Sequence, residues 1–104
     1  MKPIFFIVPV NDRLVIEVEY SMQDGIPFPF VVRLMTEREE KKICVSRFDS
    51  SHREEPPHQD IMGIRKGLIE KVFYPDLDYR DAVAYAIAEF KFHGQDLLEI
   101  FLQN

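Results

Sequence analysis

Residues 78–102 read DYRDAVAYAIAEFKFHGQDLLEIFL, and the period of this stretch decides the fold. Tyr79, Ala82, Val83, Ala86, Ile87, Phe90, Gly94, Leu97, Leu98 and Phe101 recur at three- and four-residue steps, which places them on one stripe of a helix. The spacing predicts a helix of about six to seven turns over residues 78 to 102, burying Val83, Ile87, Phe90, Leu97 and Phe101. Asp78 is the natural N-cap, Asp81 lies at the positive end of the helix, and Pro75 halts whatever precedes it. Gly94 falls on the buried stripe, where glycine costs about 1 kcal/mol against alanine, so it marks a close approach to the sheet or a slight bend.

Upstream the period is two. Leu14, Ile16, Val18 and Tyr20 share one face while Glu17 and Glu19 point away, the pattern of a half-buried antiparallel strand. Residues 4 to 8 are apolar on both faces, which suits a strand covered on both sides or packed against a partner, and Asn11-Asp12 reads as the turn between the two. Gln23-Asp24-Gly25 breaks the second strand. Prolines 27 and 29 keep the entry of the third near an edge before Phe30, Val32 and Leu34 resume on one face. Glu37 to Lys42 reads as a solvated hairpin tip, a fourth strand covers about residues 42 to 48, and Ile61 to Tyr74 reads as two short strands around Arg65-Lys66-Gly67. Strands followed by one long amphipathic helix imply an α+β fold: a curved antiparallel sheet of about five to six strands packed against a C-terminal helix, in a single domain over residues 1–104.

Composition excludes several classes. With 46% hydrophobic and 30% charged residues the chain is ordinary globular material. No apolar run approaches the roughly 20 residues that span a bilayer, and the opening MKPIFFIVPV lacks the length and cleavage site of a signal peptide. A cytoplasmic protein with no membrane association is expected. The net charge of −5 argues against non-specific coating of nucleic acid. Locally, Arg65, Lys66 and Lys71 against Glu70 make a basic patch that could meet a substrate phosphate. Cys44, the one cysteine, sits in an apolar strand pattern and is read as a small buried hydrophobe.

The stretch with most chemistry is Arg47-Phe48-Asp49-Ser50-Ser51-His52, followed across Pro56-Pro57 by His58-Gln59-Asp60. It leaves a strand-like run and crosses a polar segment, so its side chains are free of core packing and suit a surface site. The candidate site residues are Arg47, Asp49, His52, His58 and Asp60. No cofactor fingerprint occurs, so no cofactor is expected. Two histidines with carboxylates are a reasonable shell for zinc or a redox metal, but this spacing is not one of the strong metal patterns, and no metal is assigned.

The pattern Arg-aromatic-Asp-x-x-His, then His-x-Asp, then Gly67 and Lys71 ahead of an Asp-capped helix resembles a family of small uncharacterised prokaryotic proteins over roughly residues 43 to 103. More remotely it resembles the TumE-like toxin family of toxin–antitoxin modules, whose members share an Arg-x-Asp followed by a His-rich, proline-containing loop. This chain has fewer histidines in that loop and carries Glu54-Glu55 within it. The resemblance implies a small α+β protein with ribonuclease activity, an RNA substrate and a cognate antitoxin as partner.

The residues support a mechanism in their own right. Metal-independent RNA cleavage needs a base for the 2′-hydroxyl, an acid for the leaving 5′-oxygen and a cation on the phosphorane. His52 and His58 fit the acid and base roles because an unperturbed imidazole titrates near pH ~6.5. Arg47 or Arg53 fits phosphate, and Asp49 or Asp60 fits fixing a histidine tautomer. The same groups could equally order the loop by hydrogen bonding to its carbonyls. A second reading is a non-catalytic interaction domain or homodimer. Tyr85 and Phe92 fall about 180–200° from Val83 around the helix, on the face that should be wet, and aromatics there suit an interface.

Overall fold

In the computed structural model, which describes residues 3–50 and 55–104, the chain runs β1 (Ile4–Pro9), β2 (Leu14–Gln23), β3 (Ile26–Arg38), β4 (Lys41–Asp49), β5 (His58–Gly63), β6 (Gly67–Phe73) and α1 (Tyr79–Gln103). The six strands form one sheet in the order β1-β2-β3-β4-β5-β6, every neighbour antiparallel. Local chemistry sets the turns. The Asn11 carboxamide accepts from the Arg13 and Leu14 amides at 2.8 and 3.0 Å, closing the first hairpin. Asp24 and Gly25 both take positive φ, the hand that matches the strand twist in a two-residue hairpin, and Glu39 and Glu40 repeat it between β3 and β4.

The period-two residues face the helix. Leu14, Ile16 and Val18 pair across with Thr36, Leu34 and Val32, and all are buried beneath α1 with Phe30, Val45 and Phe48. From the helix, Ala82, Val83, Ala86, Phe90, Leu97, Leu98 and Phe101 are buried against them, and Ile87 is partly buried at the margin. The Asp78 carboxylate accepts from the Arg80 amide at 2.9 Å, so the N-cap is the one its sequence indicates. Gly94 lies on the sheet: a Cβ there would touch Leu14 and Leu34 methyls at 3.5 Å.

The other end of α1 is held by the β5–β6 turn. Ile64 donates to the Phe101 carbonyl at 2.9 Å, while Arg65 and Lys66 donate to that of Asn104 at 3.2 and 2.8 Å, satisfying acceptors a helix leaves open. Gly63 permits the approach, because a Cβ on it would lie 2.7 Å from the Asn104 carbonyl oxygen. Gly63→Ala is expected to force this junction apart and cost about 1–3 kcal/mol in urea denaturation. An unchanged midpoint would show that the junction yields freely.

Two features differ from the sequence reading and one, the placing of the β3 prolines, agrees with it. Strand β5 begins at His58 rather than near Ile61. β3 is an interior strand, yet its prolines lie before Val31, the residue paired with the last residue of β4, so that segment is locally an edge. β1 is largely uncovered: Ile4, Phe5, Phe6 and Ile7 are all exposed, while Val8 is partly buried against the core. Among the described residues no helix is long and apolar enough to cross a membrane.

Candidate functional site

Strand alternation gives the sheet a second face, opposite α1, and two rows of side chains cross it. In one row Glu17, Arg33, Arg47, Asp60 and Lys71 lie side by side on β2 to β6. The adjacent row carries Glu19, Val31, Asp49, His58 and Phe73. Arg33 and Arg47 are direct neighbours, and like charges so placed repel. Each turns outward to an acid: Arg33 reaches Glu17 at 3.9 Å, and Arg47 reaches Asp60.

The Arg47 guanidinium donates to Asp60 Oδ2 at 2.7 Å, a charge-assisted bond, and its Nε lies 3.4 Å from Asp49. His58 Nε2 sits 3.1 Å from Asp49 Oδ1 and 3.8 Å from Asp60 Oδ1, and its ring packs on Phe73 at 5.7 Å. Lys71 Nζ is 3.4 Å from Asp60 Oδ1. Burial divides the group into layers: the side chains of His58 and Asp60 are each 3% exposed, against 45% for Arg47, 39% for Lys71 and 21% for Asp49. Thus β4 presents Arg47 and Asp49, and β5 braces each from behind. Asp60 Oδ1 accepts no hydrogen bond among the described residues.

Electrostatics follow this geometry. Burial opposes ionisation of Asp60, but the Arg47 hydrogen bond, the Lys71 and Arg47 charges and His58 outweigh it, so the carboxyl is held below its ordinary range. The hydrogen bond to Asp60 raises Arg47 in turn, ahead of the opposing effect of burial. On the helix side of β5, Gln59 is spent on structure. Its amide donates to Ser46 Oγ at 3.2 Å and accepts from the Tyr74 hydroxyl at 2.9 Å, and burial pushes that phenol up to about 12. Cys44 is half-buried, and burial raises its thiol as well.

Beside Asp49, along the β2 to β4 part of the second row, lies a groove of about 440 Å³ bounded by Glu19, Tyr20, Pro29, Val31, Asp49 and Ser50. Ser50 shapes its floor, its hydroxyl accepting from the Phe30 amide at 3.0 Å.

Of the residues singled out from sequence, Arg47, Asp49, His58 and Asp60 come together; His52, and Arg53 with it, lies outside the described residues. The grouping is tighter than a surface loop, because His58 and Asp60 are buried strand residues. Lys71 joins them, whereas Arg65 and Lys66 reach the end of α1 through Gln103 and Asn104, so the basic patch is split. Strand alternation puts Lys71 on the same face of β6 as Ile69 and Phe73, in line with Asp60. The aromatic pair on α1 also separates. Tyr85 packs on Phe48 and Tyr74 at ring distances of 6.0 and 5.4 Å, and only Phe92, 85% exposed, is fully presented. His93 is a surface residue 4.0 Å from Asp96.

Asp49, His58 and Asp60 each offer one ligand atom within 4.8 Å of the others, a spacing a divalent cation could bridge. Such an ion would share Asp60 with a guanidinium and an ammonium, which already balance the two carboxylates. The donor set therefore fits a metal in shape and resists it in charge.

A family model described as a domain of unknown function (DUF7718) matches residues 1–104, and the chain belongs to that family. No curated protein and no solved structure matches it.

Proposed function

We propose that this member of the DUF7718 family cleaves RNA without a metal ion, as the toxin-like half of a toxin–antitoxin pair. The observation that supports the reading is the pairing of presented and bracing groups: Arg47 and Asp49 outward on β4, buried Asp60 and His58 behind them on β5. Burying a carboxylate costs desolvation free energy, and the arrangement fixes an arginine 3.4 Å from a second carboxylate beside a groove. Asp49 takes the ribose 2′-hydroxyl proton and the 2′-oxygen attacks phosphorus. The P–O5′ bond breaks, leaving a 2′,3′-cyclic phosphate and a protonated 5′-oxygen. Arg47 and Lys71 stabilise charge on the phosphorane oxygens. His58, enclosed behind Asp49, is a positioning residue, and His52 is assigned the proton for the leaving oxygen. The TumE-like resemblance of the Arg-x-Asp segment supports the same chemistry and a cognate antitoxin.

The test is cleavage of single-stranded RNA in chelator, with growth inhibition on expression as a second readout. Arg47→Ala and Asp49→Asn are expected to lower the rate by about 100-fold or more, with products ending in cyclic phosphate. Full activity in both variants would remove the pair from the mechanism. A wild-type protein that neither cleaves RNA nor arrests growth would favour the second reading, a non-catalytic interaction domain, which the exposure of Phe92 supports.

A further inference from the structure

We propose that β1 is a self-pairing edge, through which two copies of this chain join their sheets antiparallel about a two-fold axis at Phe6. The strand is the most apolar exposed segment among the described residues: Ile4, Phe5, Phe6 and Ile7 are 42, 55, 38 and 49% exposed. Among the described residues β2 flanks it on one side and nothing flanks it on the other, and α1 approaches β2, β3, β4 and β5 but not β1. The opposite edge is protected differently. β6 carries Glu70 and Lys71 in mid-strand, charges that discourage another strand, whereas β1 carries none.

The hydrogen-bonding pattern of the free edge selects the occupant. The Val10 amide donates to the Leu14 carbonyl at 3.1 Å, so Val8, Phe6 and Ile4, in step with it, turn their backbone groups toward β2. Phe5 and Ile7 then turn theirs toward the open edge, as do the positions of Pro3 and Pro9, which have no N–H to offer. The edge is symmetric about Phe6. A second β1 laid antiparallel in that register sets Phe5 against Ile7 of the other copy, each pair exchanging both hydrogen bonds. It sets Phe6 opposite Phe6 and each proline opposite a proline, so no donor lacks an acceptor. Every side chain from Ile4 to Val8 is apolar, so no like charges meet. The nearest acids, Glu17 and Glu19 on β2, would lie three strand spacings from their counterparts, about 14 Å and beyond the screening length at physiological salt. The two helices would lie on the same face, over β2 to β5 of their own sheets and clear of the junction.

Light scattering and sedimentation at about 100 µM protein, within reach of a modest Kd, are expected to give twice the chain mass for wild type. Phe6→Glu, which sets two carboxylates opposite one another, is expected to weaken association about tenfold or more with an unchanged circular dichroism spectrum. Phe92→Glu should leave it intact. A second arm does not depend on how Phe6→Glu folds. In a Cys44→Ser background, Phe6→Cys is expected to oxidise to a covalent dimer, because opposed residues of a non-hydrogen-bonded pair lie about 4.5 Å apart at Cα. Ile4→Cys should not, its symmetry mate being about four residues away along the strand. A monomeric wild type, including one that associates only with a different protein, would overturn the proposal. So would a dimer that survives Phe6→Glu, or one that cross-links no faster at Phe6→Cys than at Ile4→Cys.

Discussion

Phe90→Ala is expected to lower the free energy of unfolding by about 3–5 kcal/mol, a large part of the ~5–15 kcal/mol that holds a small domain together. The ring is fully buried and meets Phe48 edge-on at 5.3 Å, at the crossing of α1 over β4. Its neighbours four residues away on the buried stripe are Ala86 and Gly94, which have no side chain long enough to swing into the vacated space. The cavity would stay open, and the cost belongs at the upper part of the range for aromatic truncation. Thermal melting should show a fall of roughly 15–30 °C, while Phe92→Ala, two residues on and exposed, should stay within about 0.5 kcal/mol of wild type. A Phe90→Ala midpoint within a few degrees of wild type would mean that α1 does not seal this core.

The contrast between Phe90 and Phe92 shows why the helix was legible in the sequence. Helical period is a local property, and it separates the two rings by 200° whatever surrounds them. The sheet was legible for the same reason from Leu14 to Tyr20, where only Val15 departs from the alternation. Long-range placement was less accessible. Tyr85 lies on the side of α1 predicted to be wet, yet it reaches Tyr74 and Phe48, because the residues after β6 curl past that flank of the helix. Nothing in the spacing of residues 78–102 encodes where residue 74 will sit. For β1 the apolar run of residues 4 to 8 reads as a strand covered on both sides or packed against a partner, and whether the chain itself covers it depends on where α1 lands.

The site was readable as a set of residues and not as a geometry. Arg47 and Asp49 at i and i+2 lie on one face of a strand, and so do His58 and Asp60. The register that pairs Arg47 with Asp60 and Asp49 with His58 is set across residues 50–57, a connection whose length fixes no turn type. Prolines 56 and 57 made His58 look like part of the loop, when they end it. The burial of Asp60 follows from its neighbours, with Arg47 on one strand and Lys71 on the other closing over it.

That burial makes Asp60→Asn the most informative substitution at the site. It removes a charge-assisted hydrogen bond to Arg47 and the carboxylate beside Lys71, leaving Arg47 with Asp49 alone of its two acids, an expected loss of about 1.5–3 kcal/mol near neutral pH. The loss stays below the cost of breaking a fully enclosed pair, because Arg47 and Lys71 are both partly exposed and regain water. The pH dependence carries the sign. Asp60 has its pKa lowered in the folded chain, so its contribution is fully present above the unfolded carboxyl value of about 3.9 and is lost as pH falls through the folded value. Wild type should therefore exceed Asp60→Asn in urea denaturation at pH 7, and the gap should narrow as the medium is made acid below about pH 4. Only the difference between the two proteins isolates Asp60, since other carboxylates titrate in both. A gap that holds constant into strong acid would show that the stabilisation does not come from the ionised carboxylate and its pair with Arg47.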